Sequence, residues 1–383
     1  MAEIEIFLER LSKDVRSLPR YNSGLTAEYV RQRYGHKEIA KLASNENPYG
    51  AAPATRAAIA KAAEDCSWYP DPSGENMRSA LAARLDVPGE RIALGNGSED
   101  LIAIAAHTFL SPGDRFVTLR PSFGLHVLHA QSIGARPIYV PVLEDYRTDV
   151  GGLIAALESR PRMLIFSNPS NPTGLSITAE EMRRLLEAIT AETILIFDEA
   201  YYEYAAADPS YPDFLSLLKQ LASPWLMLRT FSKAYGLAGL RVGYGIASDA
   251  RLVDLMDRIR SPFNVNRLAQ AASLAALQET EFVRDCVSRT IAERGRARAA
   301  LAAMGYWTPP SDANFLFVDA GEDASALAER LLSYGVIVKP WRELGFEEHM
   351  RVSIGSPCAN DQFLAALKDA AERSLHVART ANV

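Results

Sequence analysis

Cysteine is scarce in this 383-residue chain, with only Cys66, Cys286 and Cys358, far apart in sequence. No CxxC pair and no Cys/His ligand spacing occurs, which argues against a structural zinc module. An odd, sparse count suits a reducing compartment better than a disulfide framework. Long hydrophobic runs are missing as well. No window approaches the roughly 18–20 apolar residues of a membrane span. The first twenty residues, MAEIEIFLERLSKDVRSLPR, mix acids and bases with apolar residues, unlike a secretory leader. Positive charge is not in excess either: 41 Lys plus Arg stand against 47 Asp plus Glu, a net charge of −6. Without clustered cations the chain is poorly suited to nucleic acid. We therefore expect a cytoplasmic protein that acts on small molecules, with no metal, no nucleic-acid partner and no membrane association.

What is present is an ordinary globular balance, 48% hydrophobic and 23% charged. The length allows one large domain and a smaller one, because single cores stop growing near roughly 250–300 residues. Residues 1–20 read as a short amphipathic helix ending near Pro19. From position 91 short apolar runs alternate with helical stretches: RIALG, DRFVTLR, RPIYVPV, RMLIFSN, TILIFDEA, WLMLRTFS and GYGIAS. Continuous apolar strands separated by helices indicate a mostly parallel sheet buried on both faces. The expected fold class is α/β, with helices flanking that sheet, followed by one long helical region over 251–304. A smaller α+β domain then contains NFLFVDA, GVIVKP and MRVSIG. The expected division is an N-terminal arm with part of the small domain (1–44), a large domain (45–262) and a small C-terminal domain (263–383).

Four segments carry chemistry. RTFSKAYGLAGLRVGYG (229–245) leaves an apolar strand and passes the hydroxyls of Thr230 and Ser232. It then presents Lys233 and, after a Gly-rich turn, Arg241. Hydroxyls with an arginine suit a phosphate dianion, and the lysine amine between them can condense with an aldehyde. In TILIFDEAYYEY an acid, Asp198, ends an apolar strand, where ligands bind in open α/β sheets. It can face a protonated pyridine nitrogen, with Tyr201 donating to a ring oxygen, or serve only as a helix N-cap. SNPSNPTG (167–174) follows another strand and offers Asn171 to the same oxygen, although a plain Pro-rich turn has the same appearance. LGNGSED (94–100) places a Gly-x-Gly turn before a helix. There the backbone N–H groups of Gly97, Ser98 and Glu99 can cradle an anion; acidic side chains beside a phosphate are otherwise awkward.

Taken in order, GNGS, PSFG, NPSNPTG, DEAYYEY, SKAYGLAGLRVGY and RVSIG resemble the fold-type I, class II aminotransferases over nearly the whole chain. NENPYG, WYPDP and LGNGSED are similar to the branch of that family that acts on histidinol phosphate. The resemblance implies pyridoxal 5'-phosphate as cofactor and Lys233 as the Schiff-base lysine. It implies Asp198 at the pyridine nitrogen, Asn171 and Tyr201 at the ring oxygen, and Phe123 stacked on the ring, where relatives more often carry Tyr. Thr230, Ser232 and Arg241, with the Gly97–Ser98–Glu99 backbone, are implied at the phosphate. The catalytic set is Lys233, Asp198 and Tyr201. Tyr69 is implied to reach that phosphate from a partner subunit, hence a homodimer. Arg351 is implied at the substrate carboxylate, with Arg342, Tyr21 and Asn47 as further substrate-side candidates. Relatives usually have Ser-Asp-Glu where this chain has Ser98-Glu99-Asp100, an exchange that backbone binding tolerates.

The reaction so implied is transfer of an amino group from histidinol phosphate to a 2-oxo acid, probed against three alternatives. These are an aromatic amino acid aminotransferase, a phosphothreonine decarboxylase-like lyase, and a non-catalytic cofactor-sensing regulator. The last usually carries a DNA-binding domain, and no basic helix-turn-helix segment is found in this sequence.

Overall fold

The computed structural model describes the backbone of residues 2–381 and the side chains of residues 4–371. A short strand in the arm, β1 (Ala40–Lys41), precedes seven strands of one sheet: β2 (Ile92–Gly95), β3 (Arg115–Arg120), β4 (Arg136–Pro141), β5 (Met163–Ser167), β6 (Ile194–Asp198), β7 (Trp225–Thr230) and β8 (Gly243–Ala247). Their order across the sheet is β2-β8-β7-β6-β5-β3-β4. The β4-β3-β5-β6-β7 run is parallel, and β8 is antiparallel to both β7 and β2.

The seven apolar runs all become these strands because a parallel sheet covered by helices buries both faces of each strand. Alternate residues feed two separate cores. Leu164, Phe166, Leu195, Phe197 and Met227 belong to one; Met163, Ile165, Ile194, Ile196, Leu226 and Leu228 belong to the other. Edge strand β4 differs: it is exposed at both ends and carries Pro137 and Pro141, which an edge tolerates and a central strand does not.

A second body holds β9 (Phe315–Asp319), β10 (Val336–Ile337), β11 (Lys339–Pro340) and β12 (His349–Ser353). β12 is central and antiparallel to β9 and β11, while β1 pairs in parallel with β10. Its core joins Ala40 and Leu42 to Leu301, Leu316, Leu327, Val352, Phe363 and Leu367, so the arm is built into the small domain.

Three expectations need correction. The boundary at 262–263 falls too early: Val265, Ala269, Ala272, Ala276 and Leu277 lie in a large-domain core, so the division is better drawn after Leu277. The helical region 251–304 is three helices, Ala250–Ile259, Arg267–Ala276 and Thr280–Ala303. The second starts where the Asn266 side chain accepts the Ala269 N–H at 2.9 Å, a local cap that ends the run. The N-terminal helix is likewise two, Ala2–Glu9 and Lys13–Ser17, because Ser12 caps the second. Ile4, Ile6, Phe7 and Val15 on these helices are exposed. Among the described residues no helix is long and apolar enough to cross a membrane.

Candidate functional site

The order of strands turns around at β3: the chain winds outward to β4 and then returns to β5 on the other side. Ligands bind outside the carboxyl ends of strands at such a point. The carboxyl ends of β3, β5, β6 and β7 there deliver Phe123, Asn171, Asp198 and Lys233 to one cleft. The cavity in the cleft measures about 260 Å³, and the small domain contributes Lys339 and Arg351 to its wall.

At one end a helix N-terminus meets two hydroxyls and an arginine. The helix Ser98–Phe109 begins after Gly97, which has a left-handed φ of 89°. Its first N–H groups are free to meet a negative group. Arg241 Nη1 donates to Ser232 Oγ at 3.4 Å, and Nη2 donates to the Asn96 carbonyl at 3.4 Å. The Thr230 hydroxyl accepts the Ser232 N–H at 3.1 Å. The space is kept by glycine: a Cβ on Gly97 would come within 2.5 Å of Arg241 Nη2, and one on Gly243 within 2.5 Å of the Ser98 nitrogen. The two neighbouring acids have other partners. Glu99 is paired with His129 at 3.0 Å, which holds its carboxyl below the usual range. Asp100 accepts the Asn96 N–H at 2.8 Å.

In the middle of the cleft, buried Asp198 accepts from His126 Nε2 at 3.1 Å and from the Ala200 N–H at 3.1 Å. The Tyr201 hydroxyl accepts from Asn45 Nδ2 at 2.9 Å and from Asn171 Nδ2 at 3.4 Å. Burial pushes that phenol up to about 12, so it stays a donor at neutral pH. Phe123 forms a wall, its ring 5.4 Å from that of His126 and 6.5 Å from that of Tyr21. Lys233 Nζ donates to the Ser44 carbonyl at 3.1 Å. Burial, and next the Arg351 charge, bring its amine down to about 7, despite the opposing pull of Glu46. A lysine so perturbed is partly unprotonated and nucleophilic at neutral pH.

The far end is cationic. Arg351 Nη1 donates to Asn171 Oδ1 at 2.7 Å and Nη2 to the Ala43 carbonyl at 2.8 Å, leaving its buried Nε without a hydrogen-bond partner. Lys339 stands directly across the strand pair from Arg351. Its Nζ donates to the Asn22 carbonyl and lies 5.8 Å from the Tyr21 ring centre. Burial, then Arg351 and Arg342, lower its amine to about 8.

Thus Tyr21, Ser98, Glu99, Phe123, Asn171, Asp198, Tyr201, Thr230, Ser232, Lys233, Arg241 and Arg351 line one cleft, with Gly97 against Arg241. Three expected residues stand outside the lining. Arg342 is exposed in the loop after β11. Tyr69 is 77% exposed and stacks on Phe263 with ring centres 4.4 Å apart. Asn47 is a structural link: its Nδ2 donates to the Ala234 carbonyl at 2.8 Å and its Oδ1 accepts the Tyr49 N–H. Sequence reasoning missed Asn45, His126 and Lys339. The first lies inside the noted NENPYG stretch, and the second three residues after Phe123. Lys339 was legible only as the one cation in an apolar strand run.

The donor set fits a flat ring that bears a phosphate at the glycine cradle and a nitrogen at Asp198. It also fits an oxygen between Asn171 and Tyr201, and an aldehyde within reach of Lys233. Among the described residues no cluster of His, Cys, Asp or Glu has the make-up of a metal site.

The profile of the family described as aminotransferase class I and II matches residues 37–367. A protein of Rhizobium meliloti named histidinol-phosphate aminotransferase 3 is 47% identical over 359 residues, 94% of this chain and 97% of that relative. Histidinol-phosphate aminotransferase 1 of Mesorhizobium japonicum is 49% identical over 347 residues, 91% of this chain and 94% of that one. The crystal structure of a histidinol-phosphate aminotransferase from Sinorhizobium meliloti in complex with pyridoxal-5'-phosphate is similar with a TM-score of 0.87 and 32% identity. That match covers 96% of this chain and 98% of the other.

Proposed function

The chain belongs to the class I and II aminotransferases, and from that premise we propose that it uses pyridoxal 5'-phosphate to move an amino group from L-histidinol phosphate to 2-oxoglutarate. The products are imidazole acetol phosphate and L-glutamate, a step of histidine biosynthesis that we place in the cytoplasm. The observation that carries the reading is the position of Lys233. Its amine, lowered to about 7, lies between a glycine-lined anion cradle and a pair of cations, Lys339 and Arg351. The relatives at 47% and 49% identity support the choice of substrate.

When bound, the cofactor supplies an electrophilic carbon and a ring that accepts negative charge. The chain supplies the rest. Arg241, Ser232, Thr230 and the N–H groups of Ser98 and Glu99 would hold the phosphate, with the expected Gly97 N–H instead donating to the Gly95 carbonyl at 2.8 Å. Asp198 would keep a proton on the ring nitrogen, Asn171 and Tyr201 would donate to the ring oxygen, and Phe123 would pack on the ring. Lys233 is the residue whose amine would bind the cofactor carbon, and its Nζ, held at the Ser44 carbonyl at 3.1 Å, would serve as the general base at the substrate carbon.

Arg351 receives the carboxylate of glutamate or 2-oxoglutarate. For the phosphate of histidinol phosphate we assign Lys339 with Tyr21, in place of Arg342. Lys339 faces the cleft beside Arg351, and Arg342 does not. Tyr69, exposed and outside its own cleft, fits the further proposal of a homodimer in which it reaches the partner's phosphate cradle.

The deciding experiment mixes cofactor-loaded protein with L-histidinol phosphate in a stopped-flow spectrometer. Rapid loss of the visible absorbance of the lysine-bound cofactor is expected. Absorbance that persists with histidinol phosphate and bleaches with phenylalanine or tyrosine would move the substrate to the aromatic amino acids. Release of carbon dioxide would make the enzyme a lyase.

A further inference from the structure

Lys339 and Arg351 come to the cleft on one hairpin, β11–β12, and the loop of that hairpin carries a carboxylate that the reaction does not use. Glu343 Oε2 accepts two N–H groups from different domains. One is the backbone N–H of Ser122, at 2.9 Å. The other is Nε1 of Trp341, at 2.7 Å. Each partner stands next to a piece of the site. Ser122 precedes Phe123, the wall of the ring pocket, whose ring abuts His126 and through it Asp198. The Trp341 ring centre lies 5.9 Å from the Arg351 guanidinium carbon and packs edge-on against Phe317 at 6.0 Å. One carboxylate oxygen therefore links the cations that meet substrate anions to the aromatic that meets the ring.

A second tie holds the other strand of the hairpin. Tyr146, on the large-domain loop after β4, shares a 2.7 Å hydrogen bond with His349 Nε2, and its ring is packed by Trp307, Phe317 and Phe346. Tyr146 has φ of 67°, a left-handed conformation that a bulky residue adopts only where its surroundings impose it. His349 and Glu343 thus tie the loop end of the hairpin to the large domain at two points.

We propose that Glu343 is a positioning residue that couples the placement of Arg351 and Lys339 to the placement of Phe123 over the ring. The proposal rests on the transaminase reading above. Burial pushes the Glu343 carboxyl up, and the Ser122 N–H and the Trp341 indole N–H oppose that by favouring its ionised form; an acceptor shared by two such donors makes short, strong bonds. Because it spans the two domains, a ligand that draws the hairpin inward pulls on Phe123 through it, and the coupling is reciprocal.

The test uses cofactor-loaded protein and two readouts. In steady-state kinetics Glu343→Ala should raise KM for both substrates by about tenfold with kcat little changed, the size expected for loss of a charge-assisted bond that only positions. Glu343→Gln keeps an acceptor oxygen and should restore KM to near the wild-type value; Trp341→Phe, which deletes one donor, should fall between. In the second readout, succinate, an unreactive dicarboxylate, is added and the visible circular dichroism of the bound cofactor is followed. The wild type should respond and Glu343→Ala should not, even at saturating succinate. A fall in kcat at constant KM, a Gln variant as poor as Ala, or a wild-type cofactor indifferent to succinate would overturn the coupling. Failure on histidinol phosphate with the succinate response intact would instead remove only the substrate assignment.

Discussion

The imidazole of His126 meets the carboxylate of Asp198 at 3.1 Å, and both side chains are buried. His126 comes from the first turn of the helix after Phe123, while Asp198 ends β6. The contact thus fixes the orientation of the carboxylate in the cleft. Removing it leaves the carboxylate with fewer partners and freer to turn. His126→Ala should lower kcat by about 10–100-fold, the kinetic equivalent of roughly 1.5–3 kcal/mol for a hydrogen bond to a charged group, with KM changed much less. Steady-state kinetics on the loaded enzyme checks this, and His126→Asn should recover part of the loss.

The lowered Lys233 amine sets a pH dependence. Burial and Arg351 favour its neutral form, so it loses its proton near pH 7 rather than near 10.5. Only the neutral amine attacks an aldehyde. The rate at which cofactor-free protein captures pyridoxal 5'-phosphate should therefore rise through about pH 7 and then level. Continued increase up to pH 10 would show an ordinary lysine. Lys233→Ala should abolish both capture and transamination.

The cationic end divides two neighbouring residues. Lys339→Ala should raise KM for histidinol phosphate by about tenfold, as expected when a half-buried charge partner is lost. Arg342→Ala, on an exposed side chain, should stay within about twofold. Equal effects of the two substitutions would reverse the assignment of the substrate phosphate.

Two glycines keep space at the start of the Ser98–Phe109 helix, where we propose the cofactor phosphate binds. Gly243→Ala inserts a methyl within 2.5 Å of the Ser98 nitrogen, and β8 backbone cannot yield as a side-chain tip can. The variant should bind pyridoxal 5'-phosphate at least about tenfold more weakly, read by equilibrium dialysis, since one lost charge-assisted contact amounts to about 1.4 kcal/mol or more.

Behind the site, Arg229 donates to Glu199 Oε2 from Nε at 2.9 Å and Nη2 at 2.7 Å, with both side chains buried. Arg229→Met leaves a buried carboxylate without its cation and should cost about 3–5 kcal/mol in urea unfolding. Adding Glu199→Met should return much of that loss, because the uncompensated charge goes with it.

Sequence patterning located all seven strands of the large sheet, because double-sided burial writes each as an unbroken apolar run. It placed Ser98, Asp198 and Lys233 at strand ends, and they line one cleft because each follows directly on such a run. It failed where three-dimensional register decides. Arg342 is near Arg351 in sequence, but the β11–β12 register sets Lys339 opposite Arg351, and cross-strand partners share a face. Asn45 and His126 act on Tyr201 and Asp198, 156 and 72 positions away, and no local pattern carries such a pairing. The boundary drawn at 262 has the same origin: Arg267–Ala276 looks like the start of a new helical region, but it packs on Pro53–Ala63 and Glu75–Leu85 in the large domain.

The parallel pairing of β1 with β10 sets an order on the birth of the molecule. Ala40 meets Val336, and Leu42 helps to fill a core otherwise made by residues beyond 296. On a ribosome adding about 5–20 residues per second, β1 emerges and then waits roughly 15–60 s for its partner. Over that interval the large domain can close its sheet, while an apolar N-terminal segment stays unsheltered. Assembly of the small domain is thus a late event that draws both ends of the chain together, and the arm is where a chaperone would find the nascent protein first.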